Sequence, residues 1–148
     1  MGTRSFIAIK TDSGFTGVYC HWDGNLEHVG RILRDHYTDP AKIAELIEHG
    51  DISILGAEIG SAHDFDDRPQ GQTTFYGRDR GDNDSGPTSR DTLRSIMNHA
   101  NQCGCEYFYL FADGDWQYAA RGAQYFGISD GSPFSELTPL PREIAHAG

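Results

Sequence analysis

Arg78 and Arg80 stand two residues apart in the run Tyr76-Gly77-Arg78-Asp79-Arg80-Gly81-Asp82, with glycines on both sides and aspartates interleaved. Two guanidinium groups on a bendable backbone could clamp a phosphate or carboxylate through paired N–H donors, with Tyr76 stacking a base or ring. The same residues could instead form a lattice of local ion pairs that orders the chain, each exposed pair contributing only ~0–1 kcal/mol. Either reading makes Tyr76, Arg78, Asp79 and Arg80 the first binding candidates. His21, Trp22 and Asp23 join them, because they close a predicted strand with a rim histidine and an indole that could stack on a ligand.

Two other groupings could carry chemistry. His63-Asp64-Phe65-Asp66-Asp67 sets carboxylates beside a histidine, and His63, Asp64 and Asp66 could hold a hard divalent cation with help from a substrate phosphate. There is no P-loop and no calcium-loop pattern nearby, so a solvated acidic turn is the competing reading. Cys20 adjoins His21, but neighbours on a strand point to opposite faces, so the two cannot form a Cys–His dyad. Cys20 could still meet His28, His36 or His63 in space; otherwise it is a buried small apolar residue. Cys103-x-Cys105 with Cys20 and one histidine would make a Cys3His zinc set. It lacks the second close pair such sites usually show, so a helix stop at Gly104 between two packed thiols is expected. No metal and no cofactor are expected, and no catalytic residue is assigned.

The elements that must position these groups follow from periodicity. Arg4–Lys10 and Phe15–Trp22 are rich in β-formers and are joined by Thr11-Asp12-Ser13-Gly14, which predicts a hairpin. Leu26, Val29, Ile32 and Leu33 predict a helix from Leu26 to Tyr37 capped by Asn25. Asp39 and Pro40 start a second helix through Ile43, Leu46 and Ile47, which Gly50 stops. Ile52–Leu55 is a short apolar run, a strand or a single turn. Ser89 is the expected cap of a third helix carrying Leu93, Ile96, Met97 and Ala100. Glu106–Ala112 and Trp116–Arg121 form a second hairpin around Asp113-Gly114-Asp115. In the first of these strands Tyr107, Tyr109 and Phe111 share one face and Phe108 and Leu110 the other. Both faces read as core, with an aromatic partner surface on one of them as the alternative. Trp22 and Trp116 are expected to anchor the hairpin ends.

The order ββαα, long loop, αββ segregates strands from helices. It predicts an α+β fold: a mostly antiparallel sheet of four or five strands from two hairpins, with about three helices on one face. The chain of 148 residues has the size of one domain. Residues 57–88 show neither period and form a long loop, and such a loop is usually functional or disordered. Phe65, Phe75 and Tyr76 argue against disorder. Residues 129–148 read as an irregular tail with a short turn near Arg142–Ala147.

Charge narrows the function classes. Twenty-two acidic residues against twelve basic ones give a net charge of −10. This disfavours direct binding to nucleic acid, whose partners present a basic face. It favours a partner with a basic surface. No apolar run reaches the roughly 20 residues of a membrane span, and the opening residues carry no export core. Phe6 breaks a myristoylation signal. Three cysteines without an export signal suggest a reducing cytoplasm. A homodimer is compatible with the size.

Six strings together carry a resemblance: GTRS at Gly2–Ser5, YCHWDG at Tyr19–Gly24, GRIL at Gly30–Leu33, HYTD at His36–Asp39, YGRDRG at Tyr76–Gly81 and EYFYLFADGDW at Glu106–Trp116. The chain through Trp116 resembles a family of small uncharacterised proteins of bacteriophages, prophages and plasmids. Cys103-Gly104-Cys105 lies outside that pattern. The resemblance implies a mobile-element origin and a place in the cytoplasm of a bacterial host, and it supplies no catalytic residue. With the acidic charge it leads us to expect a non-enzymatic accessory protein that binds and inhibits a host component, such as a nucleic-acid-targeting defence complex, in the manner of an anti-CRISPR. The alternatives are a sponge for a small phosphorylated ligand such as a nucleotide signal, and a metal-dependent hydrolase built on His63, Asp64 and Asp66.

Overall fold

The computed structural model describes residues 3–121 and 134–141. The two expected hairpins are present. β1 (Ser5–Thr11) and β2 (Gly14–Cys20) pair antiparallel in full register around a two-residue turn. β6 (Tyr107–Ala112) and β7 (Asp115–Ala120) do the same. Asp113 and Gly114 carry φ of 54° and 83°, the pair of left-handed residues that matches the twist of a tight hairpin. The hairpins join through their first strands, β1 lying parallel to β6 from Ser5↔Tyr107 to Ile9↔Phe111.

The sheet has eight strands among the described residues, more than the four or five expected. The additional strands are short: β3 (Ile52–Ile54), β4 (Thr74–Phe75), β5 (Thr88–Arg90) and β8 (Thr138–Pro139). Two or three residues are too few to show a period, which hides such strands in a sequence. The order is β4-β3-β2-β1-β6-β7-β8, with β5 also paired to β2. All pairings are antiparallel except β1 with β6 and β2 with β3.

The expectation of helices on one face is corrected: they cover both. On one face, Ile7, Val18, Cys20, Tyr109, Phe111 and Trp116 pack with Val29, Leu33, Tyr37, Ile43, Leu46 and Ile47. These come from a π-helical turn (Leu26–Gly30), α1 (Arg31–His36) with Tyr37 just past its end, and α2 (Pro40–Glu48). On the other face, Phe6, Ala8, Phe108, Leu110 and Ala119 pack with Ile96 and Ala100 of α4 (Leu93–Gln102). The central strand explains this. Phe108 to Phe111 are buried without a break, so both faces of β6 need a cover.

Helix starts follow capping chemistry, with two corrections. Asp39 accepts the Ala41 N–H at 3.0 Å and Pro40 takes the first turn, as expected. Asn25 makes no side-chain bond to the backbone of the turn after it. Its Oδ1 faces His28 Nδ1 instead, and the backbone closes five residues on, with Gly30 N–H on Asn25 O. Ser89 lies in β5, and the cap of α4 is Thr92, whose hydroxyl accepts the Ser95 N–H at 3.1 Å. In the expected tail β8 pairs with β7; the predicted turn at Arg142–Ala147 lies outside the described residues.

Candidate functional site

The expected loop of residues 57–88 contains β4, then a short helix α3 (Tyr76–Arg80), and ends in β5. One ion pair organises it. The Asp79 carboxylate has no exposed side-chain surface and accepts the N–H groups of His63 (3.0 Å) and Phe75 (2.8 Å) and two guanidinium bonds from Arg78. Burial works against this charge, but the Arg78 and backbone donors more than offset it and hold the carboxyl below its ordinary range. Arg78 gives its other donors to the carbonyls of Ile59, Gly60 and Thr73 and lies over the Phe75 ring. Arg78 is therefore the tie that holds three strands of loop together, and its fork is filled.

Arg80 behaves differently. It is half-exposed, forks onto Asp82 at 3.0 and 2.7 Å, and lies 4.7 and 4.9 Å from the ring centroids of Tyr76 and Phe65. The helix sends the two guanidinium groups to different partners: the Arg78 fork is filled by Asp79 and main-chain carbonyls, while Arg80 forks onto Asp82 at the protein surface. His63 is fixed in the loop as well, with Nδ1 near Ser61 O and Nε2 near the Thr74 hydroxyl. Among the described residues no group of three or more His, Cys, Asp or Glu side chains is placed to hold a metal ion.

Beside α3 lies an open cleft of about 570 Å³, lined by Tyr19, Asp51, Tyr76, Arg80, Asp82, Asn83, Asp84 and Ser85 together with Gly81. It sits where the edge of β2 changes partners. β5 pairs with Phe15 to Gly17, and β3 takes over at Cys20. Between them the Tyr19 N–H would be left without a strand partner, and the Asp51 carboxylate accepts it at 3.0 Å. The Asp51 backbone fastens the cleft walls: its N–H donates to Ser85 O at 2.7 Å and its C=O accepts from Tyr76 N–H at 3.2 Å. Three carboxylates (Asp51, Asp82, Asp84) face one guanidinium here, and that one is already neutralised.

Burial pushes the Asp51 carboxyl up to about 6, against the pull of the Tyr19 N–H. A raised folded value means that the folded chain binds the proton more tightly than the unfolded one. The ionised form then costs stability, progressively as pH rises from about 4 through 6. With allowance for partial exposure, the cost at pH 7.5 is on the order of 1–2 kcal/mol. Asp51→Asn keeps an acceptor for Tyr19, so it should unfold at a higher temperature than wild type at pH 7.5. The difference should shrink as pH falls toward 4, and a thermal series over that range reads it directly.

At the other end of Tyr19, its hydroxyl meets His21 Nδ1 at 2.7 Å. Burial raises the phenol, so it keeps its proton. Burial and then Arg4 lower His21, disfavouring its charged form. His21 stands edge-on to Trp22, their centroids 4.8 Å apart. Asp23 has a left-handed φ of 56° and passes the chain into the π-turn. Of these three only His21 touches Tyr19, and none lines the cleft, while Trp116 is buried and donates its indole N–H to Tyr37 O at 2.8 Å.

Comparison of the chain with family models, with curated proteins and with solved structures returns no match. Its site must be judged on geometry alone.

Burial raises all three thiols above their ordinary value. Cys20 is fully buried, its thiol directed at Trp22 O, and burial pushes it up to about 12. The pair that does meet is Cys103 and His99, Sγ to Nε2 at 3.6 Å, one helical turn apart on α4. On the other side of that ring an Arg90 N–H faces Nδ1 at 3.5 Å. His99 Nε2 also lies 3.3 Å from the Thr88 hydroxyl, closer than Cys103 Sγ. Burial and then Asp51 also raise the Cys103 thiol. The H-x3-C spacing was readable in the sequence. Asp51 and Tyr19 were missed. The one available signal was an acid set between the Gly50 helix stop and the apolar run Ile52–Leu55.

Proposed function

We propose that this chain is a non-enzymatic binding protein that engages a basic surface of a host protein complex and inhibits it. The observation that carries this reading is the acidic cleft at the split edge of β2, where Asp51, Asp82 and Asp84 gather. The overall charge of −10 acts in the same direction, steering the molecule toward a basic groove and away from nucleic acid. The resemblance to mobile-element proteins fits an anti-defence role. A target that handles nucleic acid fits the charge, because such complexes carry the basic grooves an acidic surface can occupy.

The phosphorylated-ligand reading draws no support from the loop arginines, since the donors of Arg78 are taken by carbonyls and Asp79 and Arg80 is forked onto Asp82. The hydrolase reading draws none from His63, whose ring is bound to Ser61 and Thr74.

The test is capture of the host partner and assay of its activity. Wild-type protein should bind a basic complex and lower its nucleic-acid-directed activity. Binding should weaken by about 10-fold or more between 0.05 and 0.5 M salt, as screening shortens the reach of the charges. The triple variant Asp51→Asn, Asp82→Ala, Asp84→Ala should bind at least about 100-fold more weakly, each lost charge contact removing roughly 1 kcal/mol or more. Salt-independent capture, or capture without inhibition, would defeat the proposal.

A further inference from the structure

Arg80 shows which chemistry the cleft's outer wall recognises. Its guanidinium lies over the rings of Phe65 and Tyr76, which are themselves 5.5 Å apart and tilted by 33°. It also makes two parallel N–H bonds to the Asp82 carboxylate. A π-face and a carboxylate fork together select a flat, delocalised cation over a compact ammonium. Arg68 also lies 5.4 Å from the Phe65 centroid. Unlike Arg78, Arg80 makes no bond to a main-chain carbonyl among the described residues and is half-exposed, so its departure breaks no main-chain tie.

We propose that Phe65, Tyr76 and Asp82 form a receptor for the guanidinium of a partner's arginine, and that Arg80 is a resident plug which that arginine displaces. This rests on the binding reading above and names the group the cleft takes. Displacement exchanges like for like at the receptor and brings the incoming side chain beside Asp51 and Asp84, which Arg80 does not touch. The plug also sets the affinity. If it holds the site for about nine-tenths of the time, apparent affinity falls about tenfold.

The probes are a short arginine–serine repeat peptide and its lysine–serine counterpart, titrated into full-length protein by calorimetry. Arg80→Ala should bind the arginine peptide about tenfold tighter than wild type. Lys10→Ala removes the same charge from an exposed site on β1 and should change the affinity far less. Adding Phe65→Ala to Arg80→Ala should abolish the gain for the arginine peptide and leave the lysine peptide unaffected. The proposal is overturned if Arg80→Ala binds no tighter than Lys10→Ala, or if the two peptides bind alike in every variant. In the latter case binding to a basic surface stands, and only the guanidinium receptor falls.

Discussion

Asp79→Ala is expected to lower the stability of the protein by about 3–5 kcal/mol, the usual cost of removing one partner from a buried ion pair. The substitution strips Arg78, itself only 11% exposed along its side chain, of its counter-ion. It also orphans the His63 and Phe75 N–H groups, which the carboxylate accepts. Denaturant unfolding would measure the loss. Arg80→Ala, one residue on but half-exposed, should leave the denaturant midpoint close to that of wild type. Equal effects for the two would mean that the Asp79 lattice does not hold the segment. The pH dependence separates the acids further. The folded Asp79 carboxyl lies below its ordinary range, so its contribution is present above about pH 4 and fades below it, opposite in sign to Asp51.

Gly50→Ala is expected to destabilise on the order of 3 kcal/mol and to weaken partner binding with it. Gly50 has a φ of +88°, a conformation costing a side-chain-bearing residue about 1–2 kcal/mol. A Cβ there would come to within 2.1 Å of Ser85 O, a backbone atom that must move. Moving it costs a further ~1–3 kcal/mol of overpacking. The displaced carbonyl is the one that accepts the Asp51 N–H, and Ser85 is part of the cleft wall. The loss should therefore appear both in denaturant midpoint and in affinity for the basic partner. Loss of stability with unchanged affinity would mean that the cleft wall is not part of the contact.

The sequence was legible where periods were long. Both hairpins, α2 with its Asp39-Pro40 start and the α+β class follow from residue patterns. The run Tyr107–Ala112 already carried the sign of a second helical layer, because an unbroken apolar strand must be covered twice. The eight-strand count was hidden because β3, β4, β5 and β8 span only two or three residues each. Within the site, the Tyr76–Asp82 run marked the right neighbourhood but not the division of labour. Which arginine is structural depends on three carbonyls contributed by residues 59, 60 and 73, at sequence separations no local pattern reports. Asp51 was invisible for a similar reason: its importance comes from a gap between two strands that pair with a third.

The parallel pairing of β1 with β6 has a consequence for synthesis. The first hairpin can close as soon as its residues leave the ribosome, but the strand that covers the free edge of β1 lies about 100 residues later. At roughly 5–20 residues per second, that edge waits on the order of 5–20 s. Its apolar residues Phe6, Ile7 and Ala8 are paired only with β2, without β6, throughout. Pairings this remote in sequence also slow folding itself. A protein made quickly and in quantity would pass through a population of chains with an open, sticky strand. Fusing a tag or a partner to the N-terminus places that cargo beside the strand during the interval, whereas the opposite terminus emerges only after the sheet can close.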